Sequence, residues 1–380
     1  MRIGSNDVFL PTMNMAYSNP KWYDFVAAGY NVPFGALVED TVQAEVFKDA
    51  LWGVIGDQQR AGMDVVADAR LFAAGNYSGV VTYYYGRLAG FAPYGPNVKY
   101  PLYSTLRSPT CVGDISRAAP MMTPIAEALT ELTDAPLKIQ WTAAGTLTGL
   151  SADNHYGSDA ERAFAIAEAL NEDILEVDAM DQVAILQLDE WFWPYEYEDW
   201  SIEAFNRTVA GVRNAKVMVH LCVGNYRGGR GYRPDDTAVP GESAFDLHAR
   251  RGESLVYESV LPRVYEANID ILNLQVIEDS DEGVLDALRK HPLPDDIDFV
   301  CGVIDPKSTY VETPDEVADR IERVLEVVPA DRLGLTTGCG LKNLPRLTAF
   351  QKLRSLADGA ALVRLRHQLG TGTTATTATA

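Results

Sequence analysis

The feature that most restricts the fold is a regular alternation of short apolar, β-branched runs with longer segments of helical period. Eight runs recur, at residues 8–12, 64–68, 137–142, 183–188, 217–222, 271–276, 299–304 and 333–337. Most are apolar throughout, as strands covered on both faces must be, and helical segments with charged outer faces lie between them at 160–171, 243–267, 279–288, 314–328 and 344–364. Strands that alternate with helices pair in parallel, and eight such units close most simply into a barrel. An open doubly wound sheet would carry a G-x-G-x-x-G turn after a strand, and none occurs. The expected fold is α/β, a single (β/α)8 TIM barrel over residues 1–368. The tail at 369–380, LGTGTTATTATA, is low in complexity and expected to be disordered. A long insertion after the second strand, about residues 71–114 and rich in Tyr and Gly, is expected to be a lid or a contact of a homo-oligomer.

Charge narrows the partners. With 32 Lys and Arg against 53 Asp and Glu, the net charge of -21 disfavours nucleic acid and anionic membranes, which need a basic footprint. No run of about 18 apolar residues occurs to span a bilayer. Four cysteines are too few for a disulfide framework, and the N-terminus MRIGSNDVFLPTM lacks a basic region followed by an apolar run. The chain reads as a cytoplasmic enzyme with reduced thiols, acting on small molecules.

In a (β/α)8 barrel the working side chains stand at the C-terminal ends of the strands. The fifth run ends in VMVHLCVGN, where His220 and Cys222 are two residues apart and point to one side, and the eighth delivers Cys339 in GLTTGCGLK. An imidazole and two thiolates make a three-ligand zinc site with an open fourth position, and the softness of sulfur favours zinc over magnesium or calcium. Against this stands a bland alternative of two buried thiols and a satisfied core histidine. The alternative weakens because Cys301, in FVCGVI, is placed like a packed thiol, whereas Cys339 lies between glycines at a strand end. A thiol on such a metal keeps a nucleophilic sulfur near neutral pH. Other strand-end groups fit a surrounding pocket: Arg70 after the second strand, Asp189 and Glu190 after the fourth, Gln275 in the sixth, Asp305 and Lys307 after the seventh. Each also has a structural reading, Arg70 pairing with Asp68 or Glu190, Asp189 capping a loop, Lys307 solvated and Glu190 structural. The aromatic run WFWPYEYEDW, which begins at Trp191, fits a substrate channel or subunit packing.

With H-L-C-V-G-N, L-D-E-W and G-C-G-L-K at these strand ends, the chain resembles the catalytic barrel of cobalamin-independent methionine synthases. The resemblance implies zinc on His220, Cys222 and Cys339 and runs from about residue 8 to 364. Three departures fall where that family touches substrate. The glutamate usual in the sixth strand as a fourth zinc ligand is replaced by Gln275, unless the register slips to Glu278. The acidic residue that holds the amino group of homocysteine is replaced by Arg70, while Asp189 matches the other amine-binding carboxylate. The usual histidine after the seventh strand gives way to I-D-P-K-S, which offers Lys307. A cation beside a metal-bound thiolate suits an anionic thiol, which makes the chain similar to single-barrel members of the epoxyalkane:coenzyme M transferase kind. The expected activity is zinc-dependent alkyl transfer to a metal-activated small thiol, such as epoxide opening by coenzyme M. Arg70 would hold the anion, with Asp189, Gln275 and Trp191 around the substrate and Lys307 or Asp305 managing the leaving proton. Methyl transfer to homocysteine from methyltetrahydrofolate or a methyl-corrinoid is the first alternative. A metal-free barrel that binds an acidic ligand or decarboxylates a porphyrin, and a subunit without activity, are the others.

Overall fold

The computed structural model describes residues 41–71, 83–92, 97–100, 104–193, 198–222, 254–277, 281–342 and 344–367. After helix α1 (Thr41–Ala61) come β1 (Val66–Ala67), β2 (Leu88–Ala92), β3 (Asn97–Tyr100), β4 (Ser104–Arg107), β5 (Thr110–Arg117), α2 (Thr123–Thr130), β6 (Leu137–Thr142), α3 (Ala144–Leu150), β7 (Ala152–Asp153) and α4 (Asp159–Asp178). The chain continues through β8 (Val183–Glu190), α5 (Trp200–Thr208), β9 (Lys216–Leu221), α6 (Ser254–Val264), β10 (Ile271–Gln275), α7 (Asp281–Lys290), β11 (Asp298–Ile304), α8 (Pro314–Leu325), β12 (Leu333–Thr337) and α9 (Arg346–Arg366).

Seven strands form one parallel sheet in the order β1-β6-β8-β9-β10-β11-β12. Because spatial order follows chain order and a helix covers each crossover from β6 onward, the sheet curls in one direction as consecutive units of a (β/α)8 barrel. The strand expected at 8–12 and the tail at 369–380 lie outside the described residues. The runs at Leu137–Thr142 and Leu333–Thr337 are strands over the expected residues. The second run shrinks to Val66–Ala67, and the fourth extends to Glu190.

The insertion is a small β-structure. β2 and β5 pair antiparallel, β3 and β4 form a hairpin, and β5 runs parallel to β7. It is pinned to α4 by Arg117, which reaches Asp173 at 3.0 Å and Glu176 at 2.6 Å.

Period-two alternation sorts side chains between the two faces of the curled sheet. Val65, Ile185, Met218, Ile271 and Val300 form a separate apolar cluster inside the curl, while Leu186, Leu188, Val219 and Leu274 join the larger core beneath the helices. Two and four residues beyond Ile185 on the same face stand Gln187 and Asp189, and two beyond Met218 stands His220. The interior thus changes from apolar at the N-terminal ends of the strands to polar at their C-terminal ends.

Candidate metal centre

β9 ends the inward series Met218 and His220, and Cys222 follows one residue after the strand, its N–H donated to the Glu190 carbonyl at 3.0 Å. Cys339 enters from the turn after β12, three strands away in the sheet. That turn is fastened where Gly338 N–H donates to the Ile304 carbonyl (2.8 Å) and the Thr337 hydroxyl donates to the Cys339 carbonyl (2.8 Å). Gly338 leaves room for the Ile277 side chain, whose Cδ1 would stand 2.2 Å from a Cβ at 338 and would have to move aside.

One donor atom from each of His220, Cys222 and Cys339 lies within 4.8 Å of the other two, and all three residues are buried. The two sulfurs are 3.3 Å apart. Two thiolates on one tetrahedral zinc, at about 2.3 Å from the metal, stand about 3.8 Å apart, so the donor set fits zinc with little adjustment. Burial, and then the adjacent Cys222 sulfur, hold the Cys339 thiol well above its ordinary pKa, so it is the thiolate form that is costly there without a cation. Cys301, by contrast, joins the helix-side core of the sheet, the packed thiol its sequence context suggests. All four cysteines are free.

Arg70 reaches the site by an unusual route. Ala69 and Arg70 both have left-handed backbones, φ 62° and 47°, so the chain leaves the sheet right after β1. The β6 amides that β1 would have paired are taken by side chains. Asp68 accepts from Gln140 N–H (2.8 Å) and from Arg70 N–H (2.8 Å), and the Tyr84 hydroxyl accepts from Thr142 N–H (3.1 Å). Through this opening the buried Arg70 guanidinium forms an ion pair with Asp189 and lies 3.5 Å from the Thr142 hydroxyl. Asp189 also accepts from Gln187 at 2.7 Å. Arg70 and Asp189, expected to serve different parts of a substrate, are therefore each other's partners. The partner is neither Asp68, which takes only the Arg70 backbone, nor Glu190. Burial opposes the guanidinium charge, but Asp189 first, then Tyr84, Asp68 and Cys222, favour it and raise its pKa.

The other expected residues divide. Gln275 ends β10, is buried, and its side-chain oxygen has no hydrogen-bond partner among the described residues. It lies 3.1 Å from where a Cβ of residue 338 would be, beside the Cys339 turn. Glu278 is outside the described residues. Asp305 follows β11 and shapes its own turn, accepting from Lys307 N–H at 2.7 Å, while its N–H donates to the buried Glu312 (2.8 Å). Glu312 is anchored in turn by Lys352 of α9 at 2.7 Å. Trp191 is 4% exposed and belongs to the continuous apolar core, its N–H held by the Thr146 hydroxyl at 2.9 Å. Glu190 points to the helix side, accepts from the Thr146 hydroxyl at 2.8 Å, and is pushed up to about 8 by burial.

Sequence reasoning passed over Lys138, Gln140 and Thr142, the inward face of β6. Their signal was present, since Leu137–Thr142 alternates polar residues within a run expected to be covered on both sides. Burial draws Lys138 down to about 7 and raises Asp68 to about 6.

The family model for the catalytic domain of cobalamin-independent synthases matches residues 32–228 and 251–362. The chain is 44% identical over 374 residues to a protein of Xanthobacter autotrophicus named 2-hydroxypropyl-CoM lyase, covering 96% of this chain and 97% of that one. It is 29% identical over 365 residues to a methionine synthase of Saccharolobus solfataricus, covering 93% and 95%. Among solved structures, a B12-independent methionine synthase of Shewanella sp. W3-18-1 superimposes with a TM-score of 0.74 at 24% identity, covering 95% of this chain and 99% of that one. The last likeness establishes the barrel fold.

Proposed function

The chain belongs to the family of cobalamin-independent synthase catalytic domains, and from that premise we propose that it catalyses zinc-dependent alkyl transfer to a small anionic thiol, in the form of epoxide ring opening. The observation that carries the proposal is the convergence of His220, Cys222 and Cys339 on one buried point at the C-terminal end of the sheet. His220, Cys222 and Cys339 would hold zinc there, and the metal would supply the Lewis acidity that keeps a substrate thiol deprotonated near neutral pH. The sulfur forms a bond to an epoxide carbon, that carbon's bond to oxygen breaks, and the oxygen takes up the proton that the thiol released. Arg70 supplies the fixed positive charge for the anionic end of the thiol, held in place by Asp189 and the Asp68 turn. Lys307, on the turn that Asp305 shapes, is the group assigned to the alkoxide proton.

A relative named for a conjugate of coenzyme M, similar over nearly the whole chain, supports this form over methyl transfer to homocysteine. The buried Arg70 supports it too, because its guanidinium is a donor group suited to a sulfonate or carboxylate. Elemental analysis should find one zinc per chain. Calorimetry should then show that Arg70→Glu abolishes binding of mercaptoethanesulfonate. Undiminished affinity in that variant would remove the anionic thiol, and methionine formation from homocysteine by the purified protein would replace it.

A further inference from the structure

β6 directs Lys138, Gln140 and Thr142 into the curl of the sheet. Gln140 and Thr142 find partners there, Asp68 for the first and Arg70 for the second. Lys138 does not. It is 0% exposed, and among the described residues its ammonium has neither a hydrogen bond nor an ion pair. An isolated buried ammonium is among the most costly groups a protein can retain, and a purely structural lysine would be expected to have a partner. The groups that act on its charge are Asp189, Asp68 and Arg70, the same three that build the polar floor of the site.

Counting those charges gives the lysine a purpose. Asp68 and Asp189 are both buried, and Arg70 touches both, through its backbone N–H and its guanidinium respectively. With Arg70 alone, an arriving anion would meet one cation and two carboxylates. With Lys138 present, the floor is balanced before the anion binds.

We propose that Lys138 is a positioning residue for the anionic thiol: its ammonium offsets the second buried carboxylate and so leaves the Arg70 guanidinium able to hold an anion. This rests on the reading of the site given above. The ammonium acts through Arg70 and need not touch the substrate.

The test is Lys138→Met, which keeps the apolar stem and deletes the charge, with calorimetric titration of the zinc-loaded protein by mercaptoethanesulfonate and by neutral mercaptoethanol. The expected result is a chain that folds with a thermal midpoint at or above that of the wild type and the same zinc content. Its affinity for the sulfonate should fall by about tenfold, equivalent to about 1.4 kcal/mol, with affinity for the neutral thiol unchanged. Equal loss for both thiols, no loss for either, or a variant that fails to fold would each overturn the proposal, the last by making the ammonium structural. A wild-type protein that does not distinguish the two thiols would instead overturn the anionic-thiol reading, so the two failures are separable.

Discussion

Replacing Gly302 by alanine should loosen the metal centre from a distance. Gly302 lies on β11 opposite Thr336 of β12. A Cβ added there would stand 2.5 Å from Gly338 Cα, 2.9 Å from Gly338 N and 2.9 Å from the Thr337 carbonyl oxygen. All three are backbone atoms, so no rotamer change relieves the clash. Ordinary contact begins at 3.4 Å, and the end of β12 must therefore retreat by about 0.9 Å, carrying the residue next to Cys339 with it. A zinc ligand tolerates about 0.2 Å. We expect overpacking to cost about 1–3 kcal/mol of stability and zinc affinity to fall about 10- to 100-fold, the range seen when a ligand's support is disturbed. The assay is competition for zinc against a chromophoric chelator, with a thermal scan of the metal-free protein. Gly334→Ala is the control on the same strand: its Cβ would meet the Val300 Cγ2 methyl at 2.9 Å, at the other end of β12. It should destabilise without weakening zinc binding. If the two variants bind zinc equally, backbone approach at Gly302 does not position Cys339 and the reasoning fails.

Two further outcomes follow from the buried groups. Glu190 has a folded pKa of about 8, above the ordinary value of 4.5, so the native state holds a proton that the unfolded chain has lost between those values. Its contribution is fully present below about pH 4.5 and is lost as pH rises through 8, by about 1.4 kcal/mol per pH unit at most. Glu190→Gln, which mimics the protonated acid against Thr146, should therefore gain on the wild type in urea denaturation as pH goes from 5 to 7. A constant difference between the two proteins across that range would contradict the assignment. Cys339→Ser replaces a soft ligand by a hard one of similar size, so the purified protein should keep its helical circular dichroism but lose most of its zinc by elemental analysis. Full metal occupancy in that variant would exclude Cys339 as a ligand.

Much of the barrel was readable along the chain because its signals are local. An apolar run such as Leu333–Thr337 declares a doubly covered strand, and the helical segment expected at 314–328 forms as α8, which the structure closes with a reciprocal cap between Thr313 and Glu316. His220 and Cys222 were legible for the same reason, since two residues on one strand share a face whatever the strand pairs with. The polar end of β8 was harder. Asp189 and Glu190 look like loop residues until Arg70, 119 positions earlier, and Thr146 are known to stand beside them.

The sequence by itself determined the alternation of elements, the parallel sheet that follows from it, and the types of ligand at its strand ends, because periodicity and side-chain chemistry are carried residue by residue. Only the tertiary structure decided which charges meet. Arg70 pairs with Asp189 because two left-handed residues turn the chain out of β1, and Lys138 has no hydrogen-bond partner among the described residues because sheet order sets it among residues distant along the chain. Those contacts depend on the register between strands, which no single segment encodes.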